Sequence, residues 1–346
     1  MKHKIRMLSI AMATIVLISM VAATGVSAAP TTAKGAPTVG APTIGGPALL
    51  WDPNGVGNGG TDQYWHITQG APTTGGLNIY YMNFAAPGTW KPLGTGTNPA
   101  ALAITGAPSS VIIMANGPSG IWAKTTTDGT HWSNVNLPSS IAAAGTGPCA
   151  VYDPNNNQID VFFVASGTNH LMEDSLNLAT ATNTQIDLGG VVFATPAAAW
   201  TPNTAGMAVV VKGTGGIIYE KMFAMASWGA YTKFCDGTIG AGASLALDPG
   251  TDNVYLFVAG QDTHLYALQS TNDGLTWRVC NPILRPCMLC WCNLGGILTS
   301  APAVSGGYYG AAGHAFVEVR GSDCCIWEFT VTGACTGTWH FVTCGP

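Results

Sequence analysis

Charge is scarce in this chain of 346 residues: Asp, Glu, Lys and Arg make up 8% of it, against roughly 25% in an average soluble protein. Neutral polar side chains must therefore keep the surface hydrated. Basic residues are the rarer sign, 12 against 17 acidic ones for a net charge of -5, and past the first six residues they form no run. The electrostatic footprint of nucleic-acid binding is missing, which sets that partner class aside. Gly-x-Ser-x-Gly, His-Glu-x-x-His and a phosphate-cradling Gly-x4-Gly-Lys are also missing, so the common nucleophile, zinc-protease and nucleotide signatures do not apply. Beyond the N-terminus there is no long apolar run and no convincing helical period. What is present is 47% apolar residues, 45 Gly and 21 Pro, enough to build a core interrupted by many turns.

Apolar length is confined to residues 7–23, preceded by Lys2, Lys4 and Arg6 and followed by Gly25-Val26-Ser27-Ala28. This is the layout of an export signal cleaved after Ala28 or Ala29. The run falls just short of the ~20 residues that span a bilayer, so a retained signal anchor is the alternative, and only then would the chain be tied to a membrane. Either way the expected location is secreted or the extracellular surface. Residues 29–45 form a Pro, Thr and Gly spacer containing Gly-Ala-Pro-Thr twice, at 35–38 and 40–43.

Ten cysteines suit an oxidising compartment. Cys149 and Cys235 stand alone, while Cys280, Cys287, Cys290, Cys292, Cys324, Cys325, Cys335 and Cys344 crowd the C-terminal part, several of them in an insertion at about 279–292. An even count permits full disulfide pairing, with a connectivity that sequence cannot supply. A zinc site at Cys287, Cys290 and Cys292, completed by Cys280 or Cys324, is the competing reading; the expectation is disulfides and no metal or other cofactor.

From residue 46 the chain repeats with a period near 48. A β-rich run ends in Gly, a short turn follows, and an aliphatic-aromatic pair opens the next strand: VIIMANG then GIW, DVFFVASG then HLM, MAVVVKG then IIY, VYLFVAG then HLY, AFVEVRG then CIW, and a divergent QYWHITQG then LNIY. The repeat positions Tyr80, Trp122, Met172, Tyr219, Tyr266 and Trp327 are 42, 50, 47, 47 and 61 apart, the last interval holding the Cys-rich insertion. Earlier in each unit a strand closes on a Pro turn, as in Trp51-Asp52-Pro53-Asn54 and Tyr152-Asp153-Pro154-Asn155, where Asp and Asn serve turn geometry; calcium ligation is the sharper reading of the same residues. A fourth strand often opens with Trp: Trp90, Trp132, Trp228, Trp277 and Trp339. Four short strands per unit predict an all-β fold, a single β-propeller of four-stranded antiparallel blades over 46–346. Six blades are visible, at about 46–96, 97–141, 142–192, 193–237, 238–296 and 297–346, and a seventh needs a degenerate copy in the spacer or insertion.

Two segments, TTTDGTHW at 125–132 and STNDGLTW at 270–277, resemble the Asp-box of sialidase-type propellers. The resemblance implies a structural hairpin role for Asp128, Gly129, Trp132, Asp273, Gly274 and Trp277. NLGGILTSAPAV at 293–304, DLGGVVFATPAA at 187–198 and FVEVRGSDCCIWEF further on are similar to the repeats of bacterial fucose-binding propeller lectins of the PLL-like type. That likeness implies sugar binding between blades, with Arg320, Asp323, Trp327 and Glu328 as the nearest ligand-binding equivalents and Tyr266 and Trp122 at the matching position of other blades. Arg-Gly occurs in one blade alone; the others carry Gln69, Asn116, Ser166, Lys212 and Ala259 there.

A sialidase would need an arginine cluster for its substrate's carboxylate, and beyond the export segment the chain has Arg278, Arg285 and Arg320 only. A glycosidase dyad needs two carboxyls about 5 to 9.5 Å apart, whereas Glu173, Glu220 and Glu328 occupy one repeat position in different blades. The sequence therefore predicts an exported binding propeller without catalytic residues, taking glycan at blade junctions or the channel mouth. A cell-surface adhesion module contacting protein and a sialidase-like glycosidase are the alternatives.

Overall fold

The computed structural model describes residues 47–60, 63–70, 77–83, 89–104, 109–137, 140–204, 206–248, 251–277, 291–306, 315–323, 325–333 and 336–344. The export segment, the spacer, Arg278, Arg285, Cys280, Cys287, Cys290, Cys324, Cys335 and most of the Cys-rich insertion lie outside them. Apart from a 3-10 turn at Thr214–Gly216, the regular structure among the described residues is entirely β.

Sheet 1 is β1 (Ala48–Asp52), β2 (Gln63–Gln69), β3 (Asn78–Asn83) and β4 (Lys91–Thr95). Sheet 2 is β5 (Thr97–Ile104), β6 (Ser110–Gly117), β7 (Gly120–Thr126) and β8 (Ser133–Val135). Sheet 3 is β9 (Cys149–Asp153), β10 (Gln158–Val164), β11 (Leu171–Asn177) and β12 (Thr182–Gly189). Sheet 4 contains β13 (Ala197–Thr201), β14 (Gly206–Lys212), β15 (Ile217–Ala224) and the short β16 (Ser227–Trp228). Next comes the long β17 (Thr232–Asp248), followed by β18 (Asn253–Gly260), β19 (Leu265–Ser270) and β20 (Cys292–Gly295) of sheet 5. Sheet 6 is β21 (Ala303–Gly306), β22 (Ala315–Arg320), β23 (Cys325–Gly333) and β24 (Thr336–Cys344). All paired strands are antiparallel and follow chain order, except that β15 pairs both with β16 and, past it, with β17, which joins sheets 4 and 5 into one continuous eight-stranded sheet. β17 belongs to two repeats: Thr232, Lys233 and Thr238 pair with β15, and its second half, from Ile239 to Asp248, pairs with β18. The sequence boundary at 237/238 thus falls inside a continuous strand.

The first strands follow one another side by side: β1 lies against β5, β5 against β9, β9 against β13, β13 and β21 against β17, and β21 against β1. Each sheet is therefore covered on both faces, which explains why the second strands read as unbroken apolar runs rather than alternating ones. In β6, Val111 and Ile113 face sheet 1, while Ile112 and Met114 face sheet 3. Equivalent apolar layers join sheets 3 and 4, 4 and 5, and 5 and 6. The layer between sheets 6 and 1 is much thinner, holding Leu49, Trp51, Tyr64, Ala303 and Phe316.

The Pro turns between first and second strands run on local acceptors. Asp52, with 0% exposure, accepts the backbone N–H of Asn54 and Val56 and the Trp65 indole N–H. Asp153 accepts from Asn155 and Asn156 in the same way. These carboxylates stand in for missing backbone partners, the usual Asx device.

In the hairpin at Asp128, Oδ1 accepts the backbone N–H of Thr130 and His131, Gly129 sits at φ +74°, and Trp132 packs edge-on against Trp65 of sheet 1. In the second copy the register slips by one residue. Ser270 Oγ takes the N–H of Asn272 and Gly274, and Asn272 Oδ1 takes that of Thr276. The role played by Asp128 falls there on Asn272, and Asp273 accepts from Asn203 of sheet 4.

Candidate functional site

Along each third strand the repeat position faces the preceding sheet: Trp122 lies in the layer between sheets 1 and 2, Tyr219 in that between 3 and 4, Tyr266 between 4 and 5, and Trp327 between 5 and 6. Side chains alternate along a strand, so the next residue points the other way. Trp327 and Glu328 therefore serve different junctions. Trp327 packs toward sheet 5 and donates its indole N–H to Asp323 Oδ2 at 3.1 Å. Glu328 faces sheet 1 beside Glu318, its register partner on β22. Arg320 also reaches sheet 1, its Nη2 donating to Thr68 Oγ1 and Gln69 O. The fold thus brings Arg320 and Glu328 to one junction and Asp323 and Trp327 to another. Tyr266 donates to Asp262 Oδ2 at 2.6 Å, and Trp122 Nε1 to Thr95 O at 2.8 Å.

Glu173 and Glu220 face the sheet that follows them, and each accepts a tryptophan from it. Trp228 Nε1 donates to Glu173 Oε2 at 2.8 Å and Trp277 Nε1 to Glu220 Oε1 at 3.1 Å. Trp132 does the same to Tyr81 OH across sheets 2 and 1. Burial pushes both glutamates up to about 7 despite those hydrogen bonds, because removing a carboxylate from water costs more than one neutral donor returns. Trp339 differs: it sits within β24, covers Gly296 and donates to Leu294 O.

One junction also holds an open cavity. Between sheets 3 and 4 a space of about 190 Å³ is walled by Tyr219 and Tyr231, with Val192, Val211 and the backbone of Gly190 and Gly213 around it and Thr214 at its edge. The Leu188-Gly189-Gly190 turn sets its floor. Gly189 and Gly190 lie at φ +71° and +78°, and a Cβ on Gly190 would come within 3.1 Å of the Tyr231 ring. Tyr231 donates to Gly189 O at 2.9 Å, which fixes the ring over the turn. Lys221 lies 4.4 Å from the centroid of the same ring and donates to Gly229 O; its burial lowers the ammonium's pKa. Glu173 and Trp228 belong to the same junction. The cavity itself offers two aromatic rings and turn backbone, on which the CH face of a small polyhydroxylated ring can stack; Lys221, Glu173 and Trp228 stand in the same junction without lining it. The volume lies below the roughly 300 to 1,000 Å³ of drug-sized pockets and suits a single small ring.

A larger space of about 330 Å³ opens where the first strands of all six sheets begin, lined largely by Pro, Ala, Gly and Thr with Lys212 and Phe193. Its walls offer backbone and short side chains rather than aromatic platforms, so the junction is the better-built site.

Tyr231 and Lys221 were not among the residues singled out by sequence. The legible signal is an aromatic-x-Lys pattern at matching positions, Trp122-Ala123-Lys124 and Tyr219-Glu220-Lys221. Lys124 also lies near its aromatic partner, 5.9 Å from the Trp122 ring, and donates to Leu93 O. Among the described residues no group of three or more His, Cys, Asp or Glu is arranged to hold a metal ion. Cys149 is a free thiol beside the first-strand space.

No family profile matches the sequence, and no curated protein matches it. Solved structures do. The chain superposes on a mutant of the Aleuria aurantia lectin in complex with alpha-methyl-L-fucoside, with a TM-score of 0.64 and 13% identity over 87% of this chain and 96% of that one. Another structure of the Aleuria aurantia protein, described as a six-bladed β-propeller with a novel fucose recognition mode, matches with a TM-score of 0.62 and 12% identity, covering 87% and 96%. A lectin from Burkholderia pseudomallei gives 0.58 and 18% identity, covering 85% and 83%. At such identities the likeness is one of fold: these neighbours are propeller lectins, and the present chain shares their all-β arrangement of four-stranded antiparallel sheets.

Proposed function

We propose that this protein is an exported glycan-binding propeller that takes a monosaccharide-sized group between sheets 3 and 4. The observation that carries the reading is the cavity framed by Tyr219, Tyr231 and the Gly189-Gly190 turn, on a fold shared with fucose-binding lectins. In this proposal the six sheets are blades of a closed ring. Support comes from the side-by-side order of the first strands, in which β21 returns to β1. Arg320, Asp323, Trp327, Glu328, Tyr266 and Trp122 belong to the same repeat logic at the other junctions, where indole, phenol and guanidinium groups are engaged by the protein itself. Export rests on the N-terminal segment. A disulfide-stapled C-terminal end is supported by Cys292 and Cys325, neither of which is a free thiol.

The test is titration of the purified protein with alpha-methyl-L-fucoside and a glycan array, alongside Tyr219→Ala and Tyr231→Ala. Saturable binding that free sugar displaces and either substitution weakens at least tenfold, about 1.4 kcal/mol, supports the reading. Silence across the array, or binding indifferent to both substitutions, refutes it.

A further inference from the structure

The junction between sheets 6 and 1 is unlike the other five. Its apolar layer is thin, and ionisable groups occupy the space that aliphatic side chains fill elsewhere. Across it His66 of β2 hydrogen-bonds through Nδ1 to Glu318 Oε1 of β22, both side chains almost completely buried. Arg320, two residues along β22, donates to Thr68 and Gln69 of β2. Glu328 on β23 is the register partner of Glu318, and His340 on β24 that of Glu328. His66 is itself flanked within sheet 1 by uncharged partners, Leu49 on β1 and Met82 on β3, with Tyr64 two residues along its own strand. The charged and titratable groups facing it are thus Glu318, Arg320, Glu328 and His340 from sheet 6 and Tyr64 from sheet 1. Glu318 Oε2 is buried without a hydrogen-bond partner among the described residues.

We propose that this junction is a proton-dependent clasp: protonated His66 holds the first and last sheets together, and loss of its proton loosens this junction ahead of the other five.

The charge balance gives the direction. With His66 protonated and Glu328 neutral, the imidazolium meets the Glu318 carboxyl group to which it is hydrogen-bonded. With His66 neutral and Glu328 ionised, two acidic side chains at directly opposed strand positions, whose Cβ atoms are about 5 Å apart, lose the imidazolium between the sheets. Both titrations push the same way. Burial works against His66 protonation, but Glu318 and Glu328 overcome it and raise the histidine above its ordinary value. Burial, then Glu318, raises Glu328. A histidine raised on folding lends stability below its unfolded value and loses it as pH climbs through the folded one; a raised glutamate likewise weakens the fold as pH climbs. The clasp is tight in mild acid and slack in mild alkali. Among the described residues no strand pairing crosses from sheet 6 into sheet 1, so the fastening among them is by side chains.

Hydrogen exchange read by mass spectrometry, corrected for intrinsic rates, tests this at about pH 6 and about pH 8.5, on either side of histidine titration. Expected is a loss of protection of roughly tenfold or more at the higher pH. It should be concentrated in peptides covering β2 and β22, clearly exceeding the general loss that the buried Glu220 imposes on β14 and β18. His66→Gln should show the slack pattern already at the lower pH, and Glu328→Gln should retain more protection than wild type at the higher pH. Wild-type protection at β2 and β22 that is independent of pH, or that changes equally in all six sheets, overturns the proposal. So does a Glu328→Gln protein that loosens as wild type does, a readout that stands even if the His66 variant does not fold.

Discussion

The buried glutamate Glu220 makes stability a function of pH in a way that one substitution can isolate. The residue is 7% exposed, its carboxyl accepts the Trp277 indole N–H and no other hydrogen bond from the described residues, and it is pushed from 4.5 up to about 7, chiefly by burial. Between those values the folded protein keeps a proton that the unfolded chain releases. Stability therefore falls as pH rises, at about 1.4 kcal/mol per unit, and levels off above the folded value. Across the whole interval the loss is on the order of 3 kcal/mol, a large share of the roughly 5 to 15 kcal/mol that a domain possesses. Glu220→Gln keeps an acceptor for Trp277 and removes the titration. Urea unfolding between about pH 4.5 and 8 should show wild type and variant nearly equal at the acid end. At neutral pH the variant should be the more stable by up to about 3 kcal/mol. Parallel pH profiles for the two proteins would refute the assignment of buried protonation to this residue.

Other consequences follow from single contacts. Trp228→Phe leaves Glu173 without its indole donor and should destabilise the protein by about 1 to 3 kcal/mol in chemical denaturation, the cost of an orphaned buried group; an unchanged midpoint would count against that bond. Asp52→Ala strips three donors of their acceptor and should cost at least about 2 kcal/mol by the same measure. Asn272→Ala should lower the thermal midpoint, since Asn272 holds the hairpin backbone; no change would return the holding role to Asp273. Tyr231→Phe, which loses the bond to Gly189 O but keeps the ring, should reduce stability by about 0.5 to 1.5 kcal/mol while preserving most sugar binding in the titration.

The sequence made the repeat legible because its signals are local. A Gly turn followed by an aliphatic-aromatic pair, and an Asp-Pro turn closing a strand, are decided within a few residues, and both recur where the hairpins are. The match of Leu188-Gly189-Gly190 to Leu294-Gly295-Gly296 likewise marked two junction turns. The sites between sheets were harder to see, because their partners are remote in sequence. Tyr231 and Gly189 are 42 positions apart, and His66 and Glu318 252 apart. Strand alternation also hid the fact that Trp327 and Glu328, adjacent in sequence, serve opposite junctions. The similar strings around Asp128 and Asp273 concealed a one-residue slip, which only the hydrogen bonds of Thr126 and Ser270 expose. The continuous strand β17 shows the reverse case, where a boundary clear in the repeat has no break in the backbone.

The most direct measurement of the central claim is calorimetric titration of alpha-methyl-L-fucoside into wild-type protein and Tyr231→Ala side by side. The account predicts saturable binding to the wild type that drops at least tenfold, about 1.4 kcal/mol, when the Tyr231 wall is removed. A wild type that binds neither this sugar nor any other glycan, or a variant that binds as tightly as its parent, would contradict it.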